Sequence, residues 1–275
     1  MASWLRRIGA HLSTRREARA LQRRAIADDL WKRTLVRYPF LQRRDPADQA
    51  MLRRLTSLFL DRKEFTSAGG LQLTDAMVVA VAAQAVLPVL RLGLPLYDGF
   101  VGIVMHPGAV VAQRETIDED GVVHAYEETL SGEAMDGGPI MLSWQDVRGA
   151  GHTASAGYNV VIHEFAHVLD LATGNADGMP ALPREIDPGE WRATWATEFD
   201  GFAARVDAEA ESGAASATVL NPYGASDPAE FFAVASEAFF VNPAGLCTEH
   251  APLYQLLARY YRQDPGADSP PKRRR

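Results

Sequence analysis

The chain has 275 residues, 47% of them hydrophobic, enough to bury a sizeable core in one large domain or two small ones. A formal net charge of -7 argues against direct nucleic-acid binding as the main task, and the single cysteine, Cys247, excludes an internal disulfide. No apolar run suits a signal peptide, and the longest, residues 76–90, carries Gln84 and Pro88 and is too short to span a bilayer, so a cytoplasmic protein without membrane attachment is expected.

After a flexible start over residues 1–14, residues 15–43 alternate arginines with Leu21, Ile26, Leu30, Leu35 and Val36 at a spacing that predicts an amphipathic helix interrupted by Pro39. The arginines read as its solvated face; a patch for an acidic partner is the sharper alternative. Asp45 followed by Pro46 predicts a helix start, continued through Leu52, Leu55, Leu58 and Phe59 to a turn at Gly69-Gly70. Thr74-Asp75 opens a small apolar core helix over residues 76–90. Short strands are expected at 101–105 and 110–112, then an acidic turn at 118–121. A second strand pair follows, 122–126 with 140–144, connected through residues 132–139.

Residues 149–157 are rich in Gly, Ala and Ser and read as a mobile loop. It leads into Val160-Val161-Ile162-His163-Glu164-Phe165-Ala166-His167-Val168-Leu169-Asp170, apolar nearly all round and therefore a buried helix. Residues four apart share a helix face, so the imidazoles of His163 and His167 converge on one point, and Glu164 follows the first where a carboxylate reaches a water without being a ligand. This is the His-Glu-x-x-His arrangement of zinc peptidases. Buried His and Glu need partners, which a metal supplies. The strand before such a helix commonly forms the rim of the cleft and pairs with an extended substrate; residues 140–144 hold that position, as a rim or as a purely structural strand.

Downstream, the helix ends near Gly174, residues 191–211 have helical spacing, residues 213–217 form a small-residue loop, and Asp227-Pro228 opens another helix. A last helix over 253–261 precedes a tail, residues 263–275, expected to be disordered. Catalytic zinc usually takes a third protein ligand. Asp170 and Thr173 stand where an extended motif would need Gly and His, which excludes a third histidine at that spacing. Among the later glutamates only Glu230 and Glu237 lie in a strongly apolar helix, seven residues apart and so on nearly one face. Either can be the ligand, and Glu237 can instead support the site through hydrogen bonds. Asp170 shares a face with the histidines and is a candidate to orient an imidazole, or to cap or pair elsewhere.

At these residues the chain resembles the Mlc titration factor A family of zinc peptidases, whose catalytic core is similar to that of the anthrax lethal factor. The resemblance covers residues 87–264 and, more weakly, the N-terminal helices. It rests on Leu87-Pro88-Val89-Leu90, Asp98-Gly99-Phe100, Gly138-Pro139-Ile140-Met141-Leu142-Ser143-Trp144, the metal motif itself and Tyr223-Gly224-Ala225-Ser226-Asp227-Pro228-Ala229-Glu230 through Glu237. It implies an α+β, mostly helical zincin-like (gluzincin) fold with a small mixed sheet beside the metal helix, in a single domain over residues 15–262. It also implies one Zn2+ per chain held by His163, His167 and Glu230, with Glu164 as general base and Tyr223 stabilising the transition state. Aminopeptidase-like hydrolysis of short peptides is the implied activity. The family also resembles regulators that sequester an Mlc-like, glucose-responsive repressor without touching DNA, so a binding protein with a dispensable peptidase is the alternative.

Overall fold

The computed structural model describes residues 15–117, 123–134, 137–213 and 218–267. The expectations for residues 1–14, for the acidic turn at 118–121, for most of the loop at 213–217 and for the tail from 268 onward lie outside the described residues. The arginine-rich start is three helical pieces: α1 through residues 15–23, α2 at Asp28–Arg37 and α3 at Pro39–Gln42. The chain leaves the helix before Asp28 because a new helix begins there, with Asp28 and Asp29 in its first turn at the positive end of the helix dipole. Tyr38, held out of the helical region by the proline after it, makes the second break. Next come α4, Pro46–Arg62, where the Asp45 side chain accepts the Asp48 amide at 2.8 Å, and α5, Asp75–Ala85, where Thr74 caps the amide of Met77. The core helix expected to reach residue 90 ends five residues earlier, and turns follow it around Pro88.

The strands are β1 (Glu64–Ser67), β2 (Gly102–His106), β3 (Val110–Ile117), β4 (Val123–Leu130), β5 (Gly132–Ala134) and β6 (Ile140–Ser143). The sheet runs β1-β2-β6-β5, the first three parallel and β5 antiparallel at the edge, with Ile103 opposite Ile140 and Glu133 opposite Met141. The expected pairing of residues 122–126 with 140–144 is not formed. β4 pairs with β3 in a separate antiparallel hairpin, while β6 is interior, between β2 and β5. The two edge strands, of three and four residues with glutamates in them, carry too little apolar alternation to be read from sequence.

Residues expected as a mobile loop are largely helical: α6 spans Trp144–Thr153, capped by the Ser143 hydroxyl. Its Gly151 serves close packing, since a Cβ there would strike the carbonyl oxygen of Arg37. Then come α7 (Val160–Leu171), α8 (Pro188–Ser212), α9 (Pro228–Val241), α10 (Pro243–Glu249) and α11 (Ala251–Tyr261). α7 buries Phe165 among Phe59, Tyr97 and Phe100, with ring centroids 5.7, 5.0 and 5.8 Å away. On its other side lies α9, apolar all round because it is enclosed: Phe231 meets Trp195 of α8, and Phe240 meets Tyr261 of α11. Past α11, Gln263 is buried and donates to Leu87 O at 2.9 Å, so the packed chain reaches beyond the expected end of the domain.

α7 starts from a fully buried residue. The Asn159 side chain accepts the Ile162 amide at 3.0 Å and donates to Gln84 Oε1 of α5 at 2.8 Å. Asn159→Ala removes a cap and strands the Gln84 oxygen, so denaturant unfolding should show a loss of about 2–4 kcal/mol.

Candidate metal centre

One helical turn separates His163 from His167, and their Nε2 atoms stand 3.1 Å apart. Glu230, in the first turn of α9, places Oε2 3.0 Å from His163 Nε2 and Oε1 3.5 Å from His167 Nε2. The three donor atoms lie within 4.8 Å of one another. Two imidazole nitrogens this close cannot both present lone pairs unless a proton or a cation lies between them. Two nitrogens and a carboxylate oxygen converging from two helices are a donor set that fits zinc.

The second carboxylate of α9 sets the tautomer. Glu237, 1% exposed, has Oε1 2.8 Å from His163 Nδ1, and its other oxygen accepts the Asn159 amide. The Nδ1 proton therefore faces Glu237, and Nε2 is the nitrogen turned toward Glu230 and His167, the one that would give up its proton to bind a metal. The two glutamates thus divide the work that sequence had left open, one on each side of the same imidazole.

Burial disfavours charge on His163, but its hydrogen bonds to Glu230 and Glu237 outweigh this and hold its pKa well above the ordinary imidazole value. Burial also raises the carboxyl of Glu230, yet the bonds to both histidines win and bring it down to about 2. For Glu237 burial wins, and its pKa is raised. Glu164 is 5% exposed, and burial pushes its pKa up to about 7 against the opposing pull of the two histidines.

The centre lies in an open cleft of about 750 Å3. Glu164 packs against β5 so tightly that a Cβ on Gly132 would collide with its carboxylate. Ser131 and Ala134 line the cleft beside Gly132, so the cleft rim is β5, and of the two roles the sequence left open for residues 140–144 the strand takes the structural one. Tyr223, on a 3-10 turn at Pro222–Ala225, is 48% exposed; its hydroxyl donates to Glu230 Oε1 at 3.4 Å, and its ring lies 6.4 Å from that of His163. Asp170 orients no imidazole. Its Oδ2 accepts the Gly178 amide at 2.8 Å, pinning the segment that carries Ala176 and Asp177 into the cleft. Sequence reading singled out Glu237 as a possible hydrogen-bonding support but missed Gly132 and the link from Glu237 through Asn159 to Gln84. Of the missed residues only Asn159, an N-cap type directly before an apolar helix, left a readable signal.

A His-Glu-x-x-His helix joined by a glutamate from a later helix, beside a small mixed sheet, defines a metallopeptidase of the zincin class. The chain belongs to the glucose-regulated metallo-peptidase M90 family, whose model matches residues 12–262. It is 35% identical over 233 residues to Mlc titration factor A from Pectobacterium atrosepticum, covering 84% of this chain and 85% of the relative. It is 36% identical over 239 residues to Mlc titration factor A from Serratia proteamaculans, covering 86% and 88%. Among the described residues no helix is long and apolar enough to cross a membrane.

If Glu237 sets the His163 tautomer, Glu237→Ala should weaken zinc binding by roughly 10–100-fold in chelator competition, and Glu237→Gln, which keeps an acceptor oxygen, by less.

Proposed function

We propose that the chain is a zinc-dependent peptidase with aminopeptidase-like action on short peptides, and that it also binds a glucose-responsive transcriptional repressor in the cytoplasm. The observation that carries the first part is the buried Glu164 carboxylate, held against Gly132 at the wall of the cleft where the two histidines and Glu230 converge. Zinc held by His163, His167 and Glu230 supplies a Lewis acid that polarises the scissile carbonyl and lowers the pKa of water.

The chain's own residues do the rest. Glu164 takes a proton from the attacking water and passes it to the leaving amine; burial, which raises its pKa from the ordinary carboxylate value, helps it hold that proton between the two steps. The half-exposed Tyr223 donates its hydroxyl to the developing oxyanion, worth up to ~3 kcal/mol for one well-placed donor. The edge of β5 away from β6 takes an extended peptide as an added strand. Glu133 and Asp177, which line the same cleft, favour a positively charged amino terminus.

The repressor-binding part has its support in the relatives named Mlc titration factor A. In the alternative reading this binding is the main function and the peptidase is dispensable.

Chromogenic amino-acid amides test the peptidase. Glu164→Gln should keep its zinc and lose at least ~100-fold in kcat/KM, the lower range for a general base; full activity would remove Glu164 from that role. The base works only when ionised, so wild-type kcat/KM should fall on the acid side as pH drops through the pKa of Glu164, which burial raises and a bound zinc would lower. Mixing the same inactive variant with an Mlc-like repressor separates the two readings: if titration survives, binding does not need the peptidase.

A further inference from the structure

The cleft does not end at the histidines. One turn past His167, Leu171 lines both the metal cleft and a second cavity of about 370 Å3, so the two adjoin at that side chain. α7 forms one wall of each. The segment after α7 supplies another, with Ala176 at the first cavity and Ala181 at the second.

Their chemistry differs. The metal cleft carries Glu133, Asp177 and Asp227, whereas among the described residues the second cavity has no polar side chain in its lining; Leu96, Phe100, Ile140, Val168, Leu171 and Ala181 face it. The wall bearing Phe100 is fixed. The buried Lys63 ammonium donates to the carbonyl oxygens of Tyr97 and Phe100 and sits 3.7 Å from the Phe100 ring centroid, and Phe100 also rests edge-on against Phe165. A preformed apolar cavity binds an apolar group without first having to order its walls.

Spacing gives the occupant. Four residues of helix, from His167 to Leu171, advance about 6 Å. An extended peptide advances about 3.3 Å per residue and points alternate side chains the same way, so a peptide that follows α7 with its scissile bond at the histidines brings a side chain about two residues away over the cavity.

We propose that this cavity is a specificity subsite that takes an apolar side chain, of the leucine or phenylalanine kind, from a peptide residue two positions from the scissile bond. The proposal rests on the peptidase reading above. Its test is a set of alanine hexapeptides with a single leucine moved through the sequence, cleaved by the zinc-loaded protein and read by mass spectrometry. Peptides with leucine two positions from the broken bond should be cleaved at least about tenfold faster than all-alanine peptide. Ala181→Phe, and Ala172→Phe as an independent plug from the exposed residue just past α7, should remove that preference while leaving all-alanine cleavage unchanged. A profile indifferent to the leucine position, or a preference untouched by both plugs, overturns the subsite while leaving the peptidase standing.

If not even the all-alanine peptide is cut, the peptidase reading fails by itself. Calorimetry with the Glu164→Gln protein then decides the subsite: leucine peptides should bind more tightly than alanine peptide, and both plugs should erase the difference. Equal binding overturns the proposal.

Discussion

A carboxylate buried on an apolar helix is costly unless both its oxygens are satisfied, and Glu237 is such a group. One oxygen takes the His163 Nδ1 proton and the other the Asn159 amide, so α9 is bound to the first turn of α7 by a single side chain. Asn159 passes the connection on to Gln84 of α5. Because the helix has a fixed pitch, holding Glu237 at Nδ1 brings Glu230, two turns earlier, to the Nε2 side of the same imidazole. The donor set thus follows from one buried hydrogen-bonding network in the middle of the core.

The same economy governs the walls of the cleft. Gly132 is small because Glu164 occupies the space a side chain would need, and among the described residues β5 lies at the edge of the sheet. Asp170, on α7 itself, fixes the segment after the helix through the Gly178 amide. Gly178 is pressed between Pro228 O and the Trp195 indole, with a φ of +75° that favours glycine. Both the metal cleft and the apolar cavity beside it are therefore bounded by elements tied directly to α7.

What was legible in the sequence was what helices write locally. His163, Glu164 and His167 declare a shared face by spacing; Asp45 and Asp227, each before a proline, mark helix starts the structure reproduces; and Glu230 and Glu237 stand out as charges in an otherwise apolar run. Which of the two glutamates faces which nitrogen is not local, because it depends on how α9 crosses α7. Strand order is not local either. Ile140–Ser143 precedes the metal helix in the chain, yet β5 comes between it and the cleft. Three-residue β5 and four-residue β1 are too short to show alternation, and the glycines of α6 read as a loop when Gly151 answers to packing against Arg37.

The central claim is that His163, His167 and Glu230 form one metal centre. Zinc-edge X-ray absorption on the purified protein, combined with elemental analysis, tests it most directly. The account predicts one zinc per chain in a nitrogen and oxygen environment with the signature of two imidazoles, lost in His163→Ala and in Glu230→Ala. Zinc that stays bound with an unchanged spectrum in both variants, or no stoichiometric zinc in the wild type after reconstitution, would contradict it.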